Sequence, residues 1–104
     1  MAQFDVYANP NPDTNYAVPY LLDVQSDLLE PLATRVVVPL VRHEVMSRPA
    51  RHLNPVFEVR GEQVVMSTAE LAGVPIQALG EQVSALSEQR DAIMRALDFL
   101  ISGV

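Results

Sequence analysis

Apolar and polar residues alternate along the first part of the chain, which is the period of half-buried β-strands. Residues 4–7 follow this pattern, residues 20–24 predict a second strand, and residues 35–40 predict a third. The third contains three consecutive valines, a composition typical of strands, and Pro39 predicts an edge or a bulge near its end. Residues 9–15 carry no apolar side chain but two prolines and three asparagines, which predicts a surface loop.

A β-hairpin is predicted in the second half of the chain. Residues 56–60 and 63–66 are rich in valine and flank the pair Gly61-Glu62. Glycine at the first of two central positions is the requirement of a type II′ turn, so the sequence predicts this turn between two strands.

Short elements are expected after the hairpin. Ser67 and Glu70 have the spacing of a helix capping box. Because Gly73 and Pro75 follow closely, no more than one turn of helix is expected there. Residues 76–79 are predicted to form a further short strand.

The C-terminal segment changes to the helical period. Four leucine and isoleucine residues share one stripe at about 100° per residue. They are Leu86, Ile93, Leu97 and Leu100. We therefore predict one amphipathic helix over residues 87–102, with Gly103 as its left-handed C-terminal cap.

Length and composition indicate a single domain, residues 1–104, whose residues are 49% hydrophobic. The chain has no cysteine, which excludes disulfides and thiolate chemistry. It contains no run of about 20 apolar residues that would cross a bilayer. The first residues lack the basic and apolar regions of a secretion signal, so a cytoplasmic protein is expected.

Charge is unevenly distributed on this acidic chain. The formal net charge is −6, which argues against direct nucleic-acid binding. Residues 35–60 nevertheless contain five arginines and both histidines, against only Glu44 and Glu58. Two interpretations stay open: solvated arginines around a sheet, or a docking surface for an acidic partner segment.

Residues that would perform chemistry are few. His43 and His52 are nine positions apart and match no metal-binding spacing, and no glycine-rich phosphate loop is present. Asp23 and Asp27 are expected to face solvent rather than to form an acid–base pair. One enzyme interpretation stays open, a metal-free ribonuclease. Its groups would be Arg35, Arg42, His43 and Arg60.

The chain resembles the CcdB toxins over almost its whole length. The most specific match is Leu-Asp-Val-Gln-Ser-Asp-Leu-Leu at residues 22–29, followed by Val-Val-Val-Pro-Leu at residues 36–40. Shorter matches occur at residues 3–7, 53–56, 74–75 and 96–104.

This resemblance implies an α+β, mostly β fold: an SH3-like antiparallel barrel with a C-terminal helix, forming a homodimer. It implies a toxin without catalysis or cofactor that binds the A subunit of DNA gyrase and traps the enzyme with cleaved DNA. It also implies a CcdA-type antitoxin whose disordered segment folds on binding. The toxin–antitoxin complex would repress its own operon, with the antitoxin making the DNA contacts.

The resemblance also implies three groups of site residues. The gyrase-binding group is Asp98, Ile101, Ser102, Gly103 and Val104. The group that supports toxicity is Gln3, Phe4, Ser26 and Leu28. The antitoxin-binding group, in the loop, is Asn9, Asn11, Asp13, Thr14 and Asn15. Within the second group, Phe4 and Leu28 are expected in the core or the dimer seam, and Ser26 is expected to be a buried hydroxyl that supports its strand.

The sequence departs from the family pattern at two places. The best-known toxin of the family has tryptophan where Ser102 stands, and an aromatic anchor can dominate an interface. The 9–15 loop is proline-rich and has no basic residue, so a different antitoxin specificity is expected. Two alternatives stay open: a ribonuclease toxin of the MazF or Kid type on the same fold, and an interaction module without toxicity.

Overall fold

The computed structural model describes residues 1–103, which form seven strands and one α-helix. No helix in this range is long and apolar enough to cross a membrane. The strands are β1 (Asp5–Ala8), β2 (Tyr20–Asp23), β3 (Thr34–Arg42), β4 (Val56–Val59), β5 (Glu62–Met66), β6 (Ala72–Pro75) and β7 (Gln82–Ala85), and the helix is α1 (Arg90–Ser102).

All seven strands belong to one antiparallel sheet that curls into a half-barrel. The order is β4-β5-β3-β2-β1-β7. The nine-residue β3 pairs with β2 along one edge, while β6 and β5 share its other edge, at residues 34–37 and 40–42. The prediction of a mostly β fold with one C-terminal helix is confirmed.

Pro39 lies inside this central strand and not at a sheet edge, contrary to the prediction. Its position falls between the pairings of β6 and β5, where no strand lies opposite it on that side. The Pro39 carbonyl instead accepts a hydrogen bond from the Ser67 N–H at 2.9 Å. Proline has no backbone N–H, and this is tolerated here because no neighbouring strand needs a hydrogen bond from residue 39 on that side.

The hydrophobic core lies between the sheet and α1. Alternate residues of the strands supply one side, and the predicted helical stripe supplies the other. Its fully buried members are Val6, Leu22, Val38, Leu40, Val64, Met66, Ile93 and Ala96. Because Ile93 and Ala96 are both inaccessible, the helix is fixed on the sheet along its middle turns.

The β4–β5 hairpin forms as predicted, but its turn differs. The two loop residues are Arg60 and Gly61, with φ of 53° and 78°, and Val59 pairs with Glu62. Two consecutive positive φ angles are the mark of a type I′ turn, so the predicted type II′ turn at Gly61-Glu62 is wrong. Arg60 takes the less favourable left-handed conformation because the twist of a type I′ turn matches that of the strands.

The short elements after the hairpin are partly as predicted. A single 3-10 turn, Thr68–Glu70, occupies the capping-box region, and the Ser67 hydroxyl donates to the Glu70 carboxylate. The predicted strand at residues 76–79 is wrong, since Ile76–Ala78 is a 3-10 turn and the strand is β6, just before it. The predicted helix starts as a 3-10 turn, Ser87–Gln89, that leads into α1.

A buried ion pair links β2 to β3 on the face of the sheet opposite the core. The Arg35 Nε donates to Asp23 Oδ2 at 2.8 Å and the Arg35 Nη2 lies 2.7 Å from the same oxygen. Both side chains are 0% exposed. The expectation that Asp23 faces solvent is therefore wrong, because the Arg35 charge compensates its carboxylate inside the protein.

Gln25 extends this pair into the loop that follows β2. Its N–H donates to Asp23 Oδ1 at 3.0 Å, and the Arg35 Nη2 donates to its carbonyl at 3.4 Å. Its side chain accepts from the Val36 N–H at 2.9 Å and donates to the Leu29 carbonyl at 3.1 Å. The ion pair and one glutamine thus fix the path of residues 24–29.

The electrostatics of this region show how completely it is removed from water. Burial raises the pKa of Asp23, and the hydrogen bond and charge of Arg35 oppose that shift. Burial likewise raises the pKa of Tyr7 to about 12, with a further contribution from the neighbouring Asp5 charge. The Tyr7 hydroxyl donates to Asp5 Oδ2 at 3.4 Å. The Arg35 Nη1 is buried and has no hydrogen-bond partner among residues 1–103.

We predict that Arg35→Met lowers the free energy of unfolding by about 3–5 kcal/mol, because it leaves the Asp23 carboxylate buried without its cation. Urea unfolding followed by circular dichroism measures this loss. The double variant Asp23→Leu/Arg35→Met should regain most of the stability. A single variant as stable as the unmodified chain would contradict the role given to the pair.

Candidate partner-binding site

The C-terminal end of α1 presents a mixed apolar and acidic surface. Ile101 is 79% exposed and Phe99 is 37% exposed, both large for apolar side chains of a folded domain. Asp98 and Ser102 are exposed beside them. Three predicted gyrase-binding residues, Asp98, Ile101 and Ser102, are therefore brought together at one helix end.

Gly103 ends the helix as predicted. Its φ is 76°, in the left-handed region, and its N–H donates to the Phe99 carbonyl at 2.9 Å. The Ser102 hydroxyl donates to the Asp98 carbonyl at 2.8 Å. The last turn has no basic residue, so Asp98 and the negative end of the helix dipole give this surface a negative potential. Val104, the fifth predicted residue of this group, lies outside the described residues.

An aromatic pair flanks this helix end and was not predicted. The His52 and Phe99 rings meet edge to face, with centroids 6.4 Å apart and an interplanar angle of 62°. Phe99 lies three residues before Ser102, so it offers an aromatic side chain one turn away from the position where the best-known toxin has tryptophan. The sequence signal for Phe99 is that this aromatic residue lies outside the apolar stripe predicted to be buried.

The first residues of the chain hold the opposite end of α1. The Gln3 N–H donates to Asp27 Oδ1 at 2.7 Å, and its side chain donates to the Val24 carbonyl at 3.1 Å. Arg90, the first residue of the helix, donates to the Gln3 side-chain oxygen at 3.5 Å. Gln3 therefore links the loop after β2 to the start of the helix.

Phe4 is a buried and strained residue of the core, as expected for its core alternative. Its φ is 74°, rare for a bulky residue, and its side chain is 4% exposed. Its N–H donates to the Asp23 carbonyl at 2.6 Å, and its carbonyl accepts from the Leu86 N–H at 2.8 Å. The Arg90 guanidinium lies over its ring at 5.7 Å. These contacts compensate the backbone strain and fix the start of the helix.

Ser26 and Leu28 differ from the expectations. Ser26 is partly exposed and its hydroxyl accepts from the Leu28 N–H at 3.2 Å, so it caps a 3-10 turn (Asp27–Leu29) and does not support a strand. Leu28 is 90% exposed, which excludes the core alternative, while the dimer-seam alternative stays a prediction. The tight turn that Ser26 caps directs the Leu28 side chain outward.

Gln3 and Phe4 of the predicted toxicity group lie at the end of α1 opposite to the predicted gyrase-binding residues. Arg90, which contacts Gln3 and Phe4, and Ser102 are separated by about 18 Å of helix. Gln3 and Phe4 therefore contact the first turn of the helix whose other end carries Asp98, Ile101 and Ser102.

The loop between β1 and β2 is ordered by its own side chains. The Asn9 amide donates to Thr14 Oγ1 at 3.0 Å and to the Val18 carbonyl at 2.9 Å. Asn9 and Asn11 accept from the N–H groups two residues later, of Asn11 and Asp13, at 3.1 and 3.0 Å. The predicted loop is confirmed and its candidate antitoxin-binding residues lie together. They are Asn9, Asn11, Asp13, Thr14 and Asn15.

The four candidate ribonuclease groups do not form one cleft. Arg35 is buried in its ion pair, and Arg42 pairs with Glu62 and lies over the Tyr16 ring at 4.9 Å. Arg35 and Arg42 lie near opposite ends of β3, about 23 Å apart along an extended strand. His43 and Arg60 are exposed on different loops.

The described residues thus form a half-barrel sheet with one C-terminal helix whose last turn is exposed. The family model described as CcdB protein matches residues 3–103, and the chain belongs to the CcdB family. This membership confirms the resemblance and makes the chain a toxin of a toxin–antitoxin system.

We predict that Gly103→Ala lowers the free energy of unfolding by about 1 kcal/mol, because alanine disfavours the left-handed conformation. Gly73→Ala is the matched control, since neither position has an atom within 4 Å of an added Cβ and only Gly103 has a positive φ. Denaturant unfolding compares the two variants. Equal effects would show that the left-handed cap does not stabilise the helix end.

Proposed function

We propose that this chain poisons DNA gyrase by binding its A subunit and trapping the gyrase complex with cleaved DNA, without catalysing a reaction itself. The observation that carries the proposal is the exposed end of α1, where Ile101 is 79% exposed beside Asp98 and Ser102. Gyrase is the known target of the CcdB family.

The rigidity of this helix end supports a binding role. Ile93 and Ala96 are fully buried, so the middle turns of the helix pack against the sheet. Phe4 and Gln3 hold its first turn, and Gly103 ends it at a defined residue. A surface held in one conformation loses little entropy on binding.

The same proposal includes a homodimer of SH3-like barrels. Three leucines on the loop between β2 and β3 are exposed, with Leu28 at 90% and both Leu29 and Leu32 at 49%. Such a cluster of apolar side chains is typical of an interaction surface. A second protomer on this cluster accounts for the expected effect of Leu28 on toxicity without a place in the core.

Control by a CcdA-type antitoxin completes the proposal. The preformed loop at residues 9–15 is its candidate docking element, and its lack of basic residues gives the pair its own specificity. The net charge of −6 disfavours direct contact between this chain and DNA. In the complex that represses the operon, the antitoxin therefore makes the DNA contacts. The site of action is the cytoplasm, where gyrase acts on DNA.

The decisive experiment incubates the purified protein with gyrase, plasmid and ATP, with RNA in a parallel reaction. Linear plasmid after detergent and protease treatment is the expected product. Cut RNA with intact plasmid would favour the ribonuclease alternative, and neither product would favour a module without toxicity.

We predict that Ile101→Lys reduces plasmid linearisation about tenfold or more, because it places a charge in the apolar part of the interface. Lysine at a helix C-terminus leaves the helix stable, so the melting temperature should change little. Ile76→Lys is the matched control, because Ile76 is a partly exposed isoleucine outside the proposed interface. Unchanged poisoning by Ile101→Lys would show that the helix end is not the docking surface.

A further inference from the structure

The carboxylate of Asp5 lies almost buried at the start of β1 and has no cation of its own. The residue is 8% exposed. Its Oδ2 accepts hydrogen bonds from the Ala2 N–H at 2.9 Å and from the Tyr7 hydroxyl at 3.4 Å. Among residues 1–103, neither a basic side chain nor the α-amino group of Met1 forms an ion pair with it. Because a buried charge without a counter-charge is costly, a cation at this position would stabilise the fold.

The neighbouring charges make this deficit larger. Val6 pairs with Leu22, so Asp5 lies opposite Asp23, one residue further along the same two strands. Burial raises the pKa of Asp23, and the Asp5 charge adds to that shift. Arg35 is the one buried cation among the described residues, and it is bonded to Asp23. Two buried carboxylates thus share one cation, and like charges directly opposite each other destabilise a sheet.

The backbone nitrogen of Ala2 is well placed to supply a second cation. Its distance of 2.9 Å from Asp5 Oδ2 is that of an ammonium–carboxylate contact. The Asp5 N–H donates in return to the Ala2 carbonyl at 3.1 Å, which closes a tight turn over residues 2–5. As an amide this nitrogen is neutral. A free α-amino group in its place would be largely protonated at neutral pH, because the pKa of such groups is about 8.

The residue types around this nitrogen allow it to become a free amine. When a chain is translated from a methionine, methionine aminopeptidases remove that residue if the next side chain is small, because their binding pocket admits only small groups there. Ala2 meets this requirement, and both Met1 and Ala2 are exposed. Met1 belongs neither to the core nor to a strand, so its loss leaves the fold intact.

We propose that hydrolysis of the Met1–Ala2 peptide bond is a modification of this chain that balances its buried charges. An aminopeptidase adds water across the bond, free methionine leaves with the new carboxylate, and the Ala2 nitrogen takes a proton to become an ammonium group. This ammonium group pairs with Asp5, so that two cations face the two buried carboxylates. The pair fixes the turn that leads into β1, and the proposal does not depend on gyrase binding.

The first test is the intact mass of the untagged chain, expressed in bacteria from a start codon at Met1. We expect one species that is lighter by one methionine residue, with N-terminal sequencing that begins at Ala2. A purified chain that retains Met1 would overturn the proposal.

The second test measures whether the new ammonium group stabilises the fold. Ala2→Gln keeps Met1, because the glutamine side chain is too large for the aminopeptidase, and it changes only an exposed side chain. Its intact mass checks that Met1 is retained. We expect its melting temperature to be about 4–8 °C lower than that of the processed chain, since the ion pair with Asp5 is lost.

The matched control repeats this comparison in an Asp5→Asn background, which removes the carboxylate and keeps a side-chain oxygen for the Ala2 nitrogen. There, Ala2→Gln should change the melting temperature little, because no ion pair remains to be lost. An equal loss in both backgrounds would overturn the proposal, since it would then reflect the side chain at residue 2 and not the charge. None of these results bears on gyrase poisoning, so the two proposals fail separately.

Discussion

The buried Asp23–Arg35 ion pair is the interaction on which the rest of this structure depends. It joins two central strands on the face away from the hydrophobic core, and Gln25 transmits its geometry to the loop after β2. The Phe4 N–H bonds to the carbonyl of the same Asp23. This buried ion pair therefore fixes both the path of the N-terminus and that of the loop between β2 and β3. The Asp-Val-Gln stretch of the family signature has a physical reason in this network.

The position of the exposed helix end depends on this arrangement. Phe4 is held in a strained conformation by Asp23 and Leu86, and Arg90 stacks on its ring at the first turn of α1. The core fixes the middle of the helix through Ile93 and Ala96. The proposed function, binding to a much larger enzyme, requires such a fixed surface, because a surface held in one conformation loses little entropy on binding.

How much the sequence predicts depends on the range of the interaction. The C-terminal helix and its glycine cap follow from local periodicity, and both are confirmed. The burial of Asp23 and Arg35 as an ion pair does not follow from local periodicity. Twelve residues separate the two side chains, and only strand pairing puts them on one buried face. Leu28 was expected in the core or the dimer seam, and the turn that Ser26 caps directs it outward, which excludes the core. The Arg60-Gly61 turn was misassigned by one residue, because an arginine with positive φ has no strong local signal.

The central claim is that the end of α1 is the surface that meets gyrase. Amide hydrogen exchange of the chain, alone and with purified gyrase A subunit, tests this most directly. The account predicts slower exchange in the complex at residues 99–103, with the amides of residues 9–15 unchanged. Exchange that slows elsewhere and not at residues 99–103, or a chain that fails to associate with the subunit, would contradict it.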